Sequence, residues 1–157
     1  MSIFEETNWD MEKHFATYEQ SLALKELGFD EPCLANYNNL TDKTRFIFGK
    51  TNEGCITVNK VPRTDKIVIS NERILAPLKS QVFEWFRDNH QLFYNIETNC
   101  SQLSSEWGFD YTIFDKENDK WLSTEPQNCP PGETTYKTYE ETESGCIDKL
   151  IEMVKKK

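Results

Sequence analysis

Histidine is nearly missing from this chain, which has two, and no two cysteines are spaced as C-x-x-C. Metal centres are built from closely spaced His, Cys and carboxylate ligands, whereas His14 and His90 fall on two different expected helices. No metal site, no cofactor and no catalytic residue is expected. Asp10 and His14 share a helical face at a four-residue spacing, which suits a surface pair rather than a ligand set. The five cysteines, Cys33, Cys55, Cys100, Cys129 and Cys146, are odd in number and fit reduced thiols better than a disulfide framework. No apolar run approaches the roughly 18 residues of a membrane span, and the N-terminal stretch lacks a basic region followed by an apolar one. Neither membrane spanning nor secretion is expected.

Positive charge is also scarce. Lys and Arg total 18 against 27 Asp and Glu, a formal net charge of -9. Residues 1–40 hold eight acidic and two basic groups, residues 41–90 six and nine, and residues 91–157 thirteen and seven. A surface of this sign disfavours nucleic acid and anionic lipid, which need positive charge to meet phosphates. The mildly basic middle is the exception. Arg45, Lys50, Lys60, Arg63, Lys66 and Arg73 are the candidate nucleic-acid contacts, against the competing reading that its lysines guard sheet edges.

Aromatic residues are plentiful: ten Phe, six Tyr and four Trp. Each buries a large area, which argues for a folded core although only 37% of residues are hydrophobic. Chains of this size bury about 70% of their unfolded surface. A single domain, 1–157, is expected, with lobes at 1–76 and 77–157.

Met11, Phe15, Tyr18 and Leu22 recur at helical spacing and predict a helix over residues 8–27. Gly28 after its last turn, with Leu24 and Phe29 in place for a hydrophobic contact, predicts a Schellman ending. Short β-branched or aromatic runs at 44–48, 55–61 and 66–70 read as strands of a meander, with 51–54 and 61–65 as its loops. Leu78, Val82, Trp85 and Phe86 predict a helix from Pro77 to about His90, and residues 92–97 a strand. Residues 107–114 alternate with period two, so Trp107, Phe109, Tyr111 and Ile113 should share a buried face; residues 121–124 are its hairpin partner. Residues 125–133, rich in proline, form a loop. Thr138 and Glu141 make a capping box for a final helix whose stripe is Tyr139, Cys146, Ile147, Leu150, Ile151 and Val154.

Three motif fragments fail on detail. Phe48-Gly49-Lys50-Thr51 has Thr44 where a phosphate loop needs its first glycine. Asp115, Glu117 and Asp119 begin like a calcium loop, but Lys120 and Pro126 replace its glycine and closing glutamate. The C-terminal order of helix, three strands and helix is that of double-stranded RNA-binding modules. Those place lysines where the last helix here starts with Glu140, Glu141 and Glu143, which repel phosphates. For partner contact, Trp9 near the terminus and Trp121 beside the Pro-rich segment are the candidate protein-binding residues, while Trp85 and Trp107 fit buried faces.

SLALKELGFDEPCLANY, LAPLKSQVFEWFRDNHQLFYNI and TYEETESGCIDKLIEMVKKK together resemble a group of small uncharacterised proteins of Bacteroidota and their phages or mobile elements. LKELGFDEPC is the most specific part, and the chain departs from the group at Thr142 to Gly145, where its members are richer in alanine. The resemblance implies a phage or mobile-element origin and carries no activity or site.

The expected fold is α+β: an antiparallel sheet in two strand groups, packed against helices starting near Asn8, Pro77 and Thr138. The expected function is that of a non-enzymatic, acidic accessory protein that binds a host or phage protein, as a virion component or as an inhibitor of a host factor. The expected location is the bacterial cytoplasm or the virion. The alternatives are a nucleic-acid module using the basic middle, and a small enzyme whose site sequence spacing hides.

Overall fold

Thr17 decides where the first helix starts. Its hydroxyl accepts from the Gln20 amide at 3.2 Å while Gln20 Oε1 accepts from the Thr17 amide at 3.0 Å, a reciprocal capping box. Helix α1 therefore runs Tyr18–Glu26. The computed structural model describes residues 11–38, 45–48, 51–52, 55–56, 73–100, 107–123 and 136–157. Within them the helix expected over 8–27 is corrected: Met11 and Glu12 make a helical turn that stops, and Phe15 joins an isolated antiparallel bridge with Leu78. Phe15 is buried, as the periodicity required, but in extended backbone. Residues 8–10 lie outside the described residues.

The end of α1 is as expected. Gly28 takes φ +94°, the Phe29 amide donates to the Leu24 carbonyl at 2.9 Å, and the Gly28 amide donates to that of Lys25 at 3.1 Å. This is the Schellman pattern, with Leu24 and Phe29 both buried.

The chain divides into two compact units, Met1–Gln81 and Val82–Lys157. In the first, β1 (Ala35–Asn38) lies between β2 (Arg45–Phe48) and β5 (Arg73–Ala76), all antiparallel, and β3 (Thr51–Asn52) pairs with β4 (Cys55–Ile56). β2 matches the expected strand. β4 is the described part of the one expected over 55–61, and residues 57–72, with the run at 66–70, lie outside the described residues. Thr51 and Asn52, expected in a loop, are strand, because Thr51 pairs with Ile56. Phe15, Ala35, Tyr37, Ile74 and Ala76 form the core, with Tyr18, Leu22, Leu34 and Leu78 against it. Each large side chain there contributes about 1.5–3 kcal/mol.

Helix α2 (Lys79–His90) starts two residues later than expected. The Pro77 carbonyl accepts from the Ala16 amide and the Lys79 amide donates to the His14 carbonyl, both at 2.9 Å, which holds residues 77–78 extended.

In the second unit β6 (Leu92–Cys100), β7 (Trp107–Asp115) and β8 (Lys120–Ser123) form an antiparallel meander in that order. Helix α3 (Tyr139–Lys155) packs on β6 and β7. Its capping box is present as expected: Thr138 Oγ1 accepts from the Glu141 amide, and the Glu141 carboxylate accepts from the Thr138 amide, both at 3.2 Å. Cys146, Ile147, Leu150 and Ile151 are buried on β6 and β7, as is Thr142, whose hydroxyl donates to the Thr138 carbonyl at 2.8 Å. Among the described residues there are three helices and three antiparallel sheets, an α+β fold, and the C-terminal order is helix, three strands, helix.

Candidate functional site

Residues directly opposite one another in an antiparallel pair point to the same face of the sheet. In the second unit the face carrying Tyr111 and Ile113 is the inner one. Phe109 meets Tyr139 of α3 edge-on at 5.8 Å, Tyr111 lies against Tyr136 at 6.2 Å, and Tyr94 stacks on Phe83 of α2 at 3.7 Å. The opposite face is exposed at Phe93, Asn95, Glu97, Asn99, Trp121 and Ser123. Phe93 pairs with Phe114 and Phe114 with Trp121, so three aromatic residues stand in one row across the three strands. The Phe114 and Trp121 rings are 4.7 Å apart, Phe114 is half-buried, Phe93 is 37% exposed and Trp121 is 68% exposed.

Behind the aromatic row the face turns polar, then acidic. Asn95, Thr112 and Ser123 form the next row, and Glu97 and Asp110 the one after. Asn95 Nδ2 donates to Glu97 Oε1, and Asn99 Nδ2 donates to Asp110 Oδ2 at 2.7 Å, so these amides orient the two carboxylates. Among the described positions of this face there is no Lys or Arg. The arrangement offers an apolar strip beside negative charge, a surface suited to a protein partner with an apolar patch next to a basic one.

Trp121 is exposed, with Phe114 as an aromatic neighbour, while Trp9 lies outside the described residues. Trp107 is corrected: it is 71% exposed rather than buried. Its parity is that of the inner face, but Tyr139, the first residue of α3, reaches Phe109, and Trp107 lies one pleat beyond. Phe93 and Phe114 were not picked out, because the row exists only once the register is known. Of the basic group, Arg45 and Arg73 are brought to one row, each opposite Asn38 on the two sides of β1. Lys50, Lys60, Arg63 and Lys66 lie outside the described residues.

A cleft of about 360 Å³ in the first unit is lined by Glu12, Lys13, Thr17, Glu19, Tyr37 and Lys79, with Phe15 and Tyr18. It carries two residues of each charge. The Tyr37 hydroxyl donates to the Ala16 carbonyl at 2.7 Å, and burial, then Glu12 and Glu19, push its pKa up, so the phenol stays protonated at neutral pH. Cys33 is buried beside the Glu31 carbonyl and Gln81 Oε1, with its pKa pushed up to about 12 by burial and then by Glu31. Cys146 is likewise pushed up, by burial and then Glu143. Neither thiol has the thiolate character of a nucleophile. Among the described residues no group of three or more His, Cys, Asp or Glu is placed to hold a metal ion, and no helix is long and apolar enough to cross a membrane.

Comparison of the chain with protein-family models, with curated proteins and with solved structures gives no match.

Proposed function

We propose that this chain is a non-enzymatic, acidic accessory protein that binds another protein through the open face of the β6–β7–β8 sheet. The supporting observation is the row Phe93, Phe114 and Trp121, an aromatic strip left facing solvent beside Glu97 and Asp110. Aromatic anchors of this kind dominate interface energetics, and the carboxylates favour a partner with a basic surface. With the resemblance to proteins of Bacteroidota and their phages or mobile elements, the partner is a host or phage protein. The chain then works in the bacterial cytoplasm or the virion. As an inhibitor it would lay its carboxylates over a basic, nucleic-acid-binding surface of a host factor.

The test is capture from the native host by the intact chain and by Trp121→Ala. Trp121 is mostly exposed, so its truncation should leave the fold intact, as circular dichroism will show. A captured protein should lose about 2 kcal/mol of binding, roughly 30-fold, in the variant. Equal capture by both chains, or none by either, would reject the reading.

One observation favours a second reading, nucleic-acid binding by the middle segment: the register brings Arg45 and Arg73 to one row around Asn38. Oligonucleotide affinity that falls steeply with salt, and falls further in Arg45→Gln with Arg73→Gln, would support it; weak, salt-insensitive binding would end it.

A further inference from the structure

Among the described residues β6 is an end strand, paired with β7 over all nine positions and with no strand on its other side. Phe93, Tyr94, Asn95, Glu97, Thr98 and Asn99 are all exposed, on both faces of the sheet, whereas the central β7 has one exposed residue, Trp107. An open edge presents every second backbone N–H and C=O to solvent, and natural proteins blunt such edges with lysine, proline or a bulge. The β6 sequence LFYNIETNC has no lysine and no proline, and its register with β7 runs without a bulge. A long, unguarded edge is a template for an added strand.

The charge around this edge selects the occupant. Glu97 is the one charged residue in β6 and lies on the outer face. On the inner face Tyr94 has its pKa raised by burial, then by Tyr139 and Glu143. Arg87 is bonded to Asp88 at 2.8 Å and Glu84 at 3.2 Å. A second copy of this chain would bring another net charge of -9 and another Glu97 to the edge.

We propose that β6 takes an added β-strand from its protein partner, and that this strand is an extended basic segment with lysine or arginine beside Glu97 and apolar residues beside Tyr94 and Ile96. The inference rests on the reading of the chain as a protein binder. It adds a backbone contact along β6, the strand that supplies Phe93 to the aromatic row.

The probe is a blocked nine-residue peptide alternating lysine and valine. Its controls are a glutamate–valine counterpart and a lysine–valine copy N-methylated on every residue. Each is titrated to millimolar concentration into the full chain while amide hydrogen exchange is followed by NMR. The lysine–valine peptide is expected to saturate and to slow exchange at alternate β6 amides by at least about tenfold, leaving β8 unaffected. The two control peptides should do neither. Glu97→Lys, at an exposed position, should reverse the preference between the lysine and glutamate peptides. Binding that leaves β6 amides fast, equal binding of the acidic peptide, or a peptide-free dimer joined through β6 would each overturn the proposal. If no peptide protects β6 while Trp121-dependent capture persists, strand addition falls and protein binding stands. If β6 is protected and capture is indifferent to Trp121, the edge stands and the aromatic face falls.

Discussion

Gly145 sits in the middle of α3, where a glycine ordinarily costs about 1 kcal/mol relative to alanine. Its surroundings reverse that expectation. A Cβ added there would collide with the Tyr136 hydroxyl and ring. Tyr136 has little freedom to withdraw: its amide donates to the Phe109 carbonyl at 3.3 Å, its carbonyl accepts from the Phe109 amide at 2.9 Å, and its ring lies against Tyr111. The glycine therefore permits the chain entering α3 to dock on the edge of β7. Gly145→Ala should destabilise the protein by about 1–3 kcal/mol in urea unfolding, the usual range for overpacking. In a Tyr136→Ala background the same change should become neutral or stabilising. A single Gly145→Ala chain more stable than the parent would refute this account. Nothing in the spacing of TESGCID reveals it, because the partner comes from another segment.

At the scale of elements, the ends of the helices explain which boundaries could be read beforehand. α3 was legible at its start through Thr138 and Glu141, and α1 at its end through Gly28. The start of α1 was not, because Thr17 and Gln20 make an equally good cap inside a run whose apolar spacing continues in both directions. β1 and β5 went unread: Ala35-Asn36-Tyr37-Asn38 has no β-branched residue, and Asn36 is buried although polar. The site was half legible for the same kind of reason. Trp121 stands out by composition, but Phe93 and Phe114 become its neighbours only through a register that composition does not encode. α2 closes without a glycine: Gln91 takes φ 55°, a left-handed conformation that costs a residue with a side chain about 1–2 kcal/mol. Its carbonyl accepts from the Lys116 amide at 3.1 Å, which holds the turn in place. Gln91→Gly should therefore stabilise the chain by about 0.5–1 kcal/mol after the extra flexibility of the unfolded glycine is counted. A lowered urea midpoint would show that the Gln91 side chain, whose Nε2 reaches the Arg87 carbonyl at 3.4 Å, matters more than the backbone strain.

Across the whole molecule, the titrating groups predict that the two units answer to pH differently. In the second unit His90 lies against Trp85 and Phe86, with Nε2 buried and unpartnered, and its pKa is lowered from 6.5 by burial and then by Lys157. Lys157 is itself held by Glu117 and Asp115. A lowered histidine pKa means that the native state binds fewer protons than the unfolded one, so stability falls as pH drops through the unfolded value near 6.5. Asp115 adds a second loss at lower pH. Burial works to raise its pKa, but bonds from the Asn118 side chain and amide, with Lys157 and the Glu117 amide, leave it below 3.8. The described groups of the first unit with a shifted pKa are Cys33 and Tyr37, both raised, and these lose stability only as pH rises above about 9. Lowering the pH from 7 to 5.5 should therefore weaken amide protection in β7 and α3, after correction for intrinsic exchange rates, and leave β1 and β5 unchanged. His90→Phe keeps the ring contacts and removes the titration, so it should abolish the difference. Equal losses in both units, or a loss in β7 and α3 that survives His90→Phe, would show that another group carries the pH response.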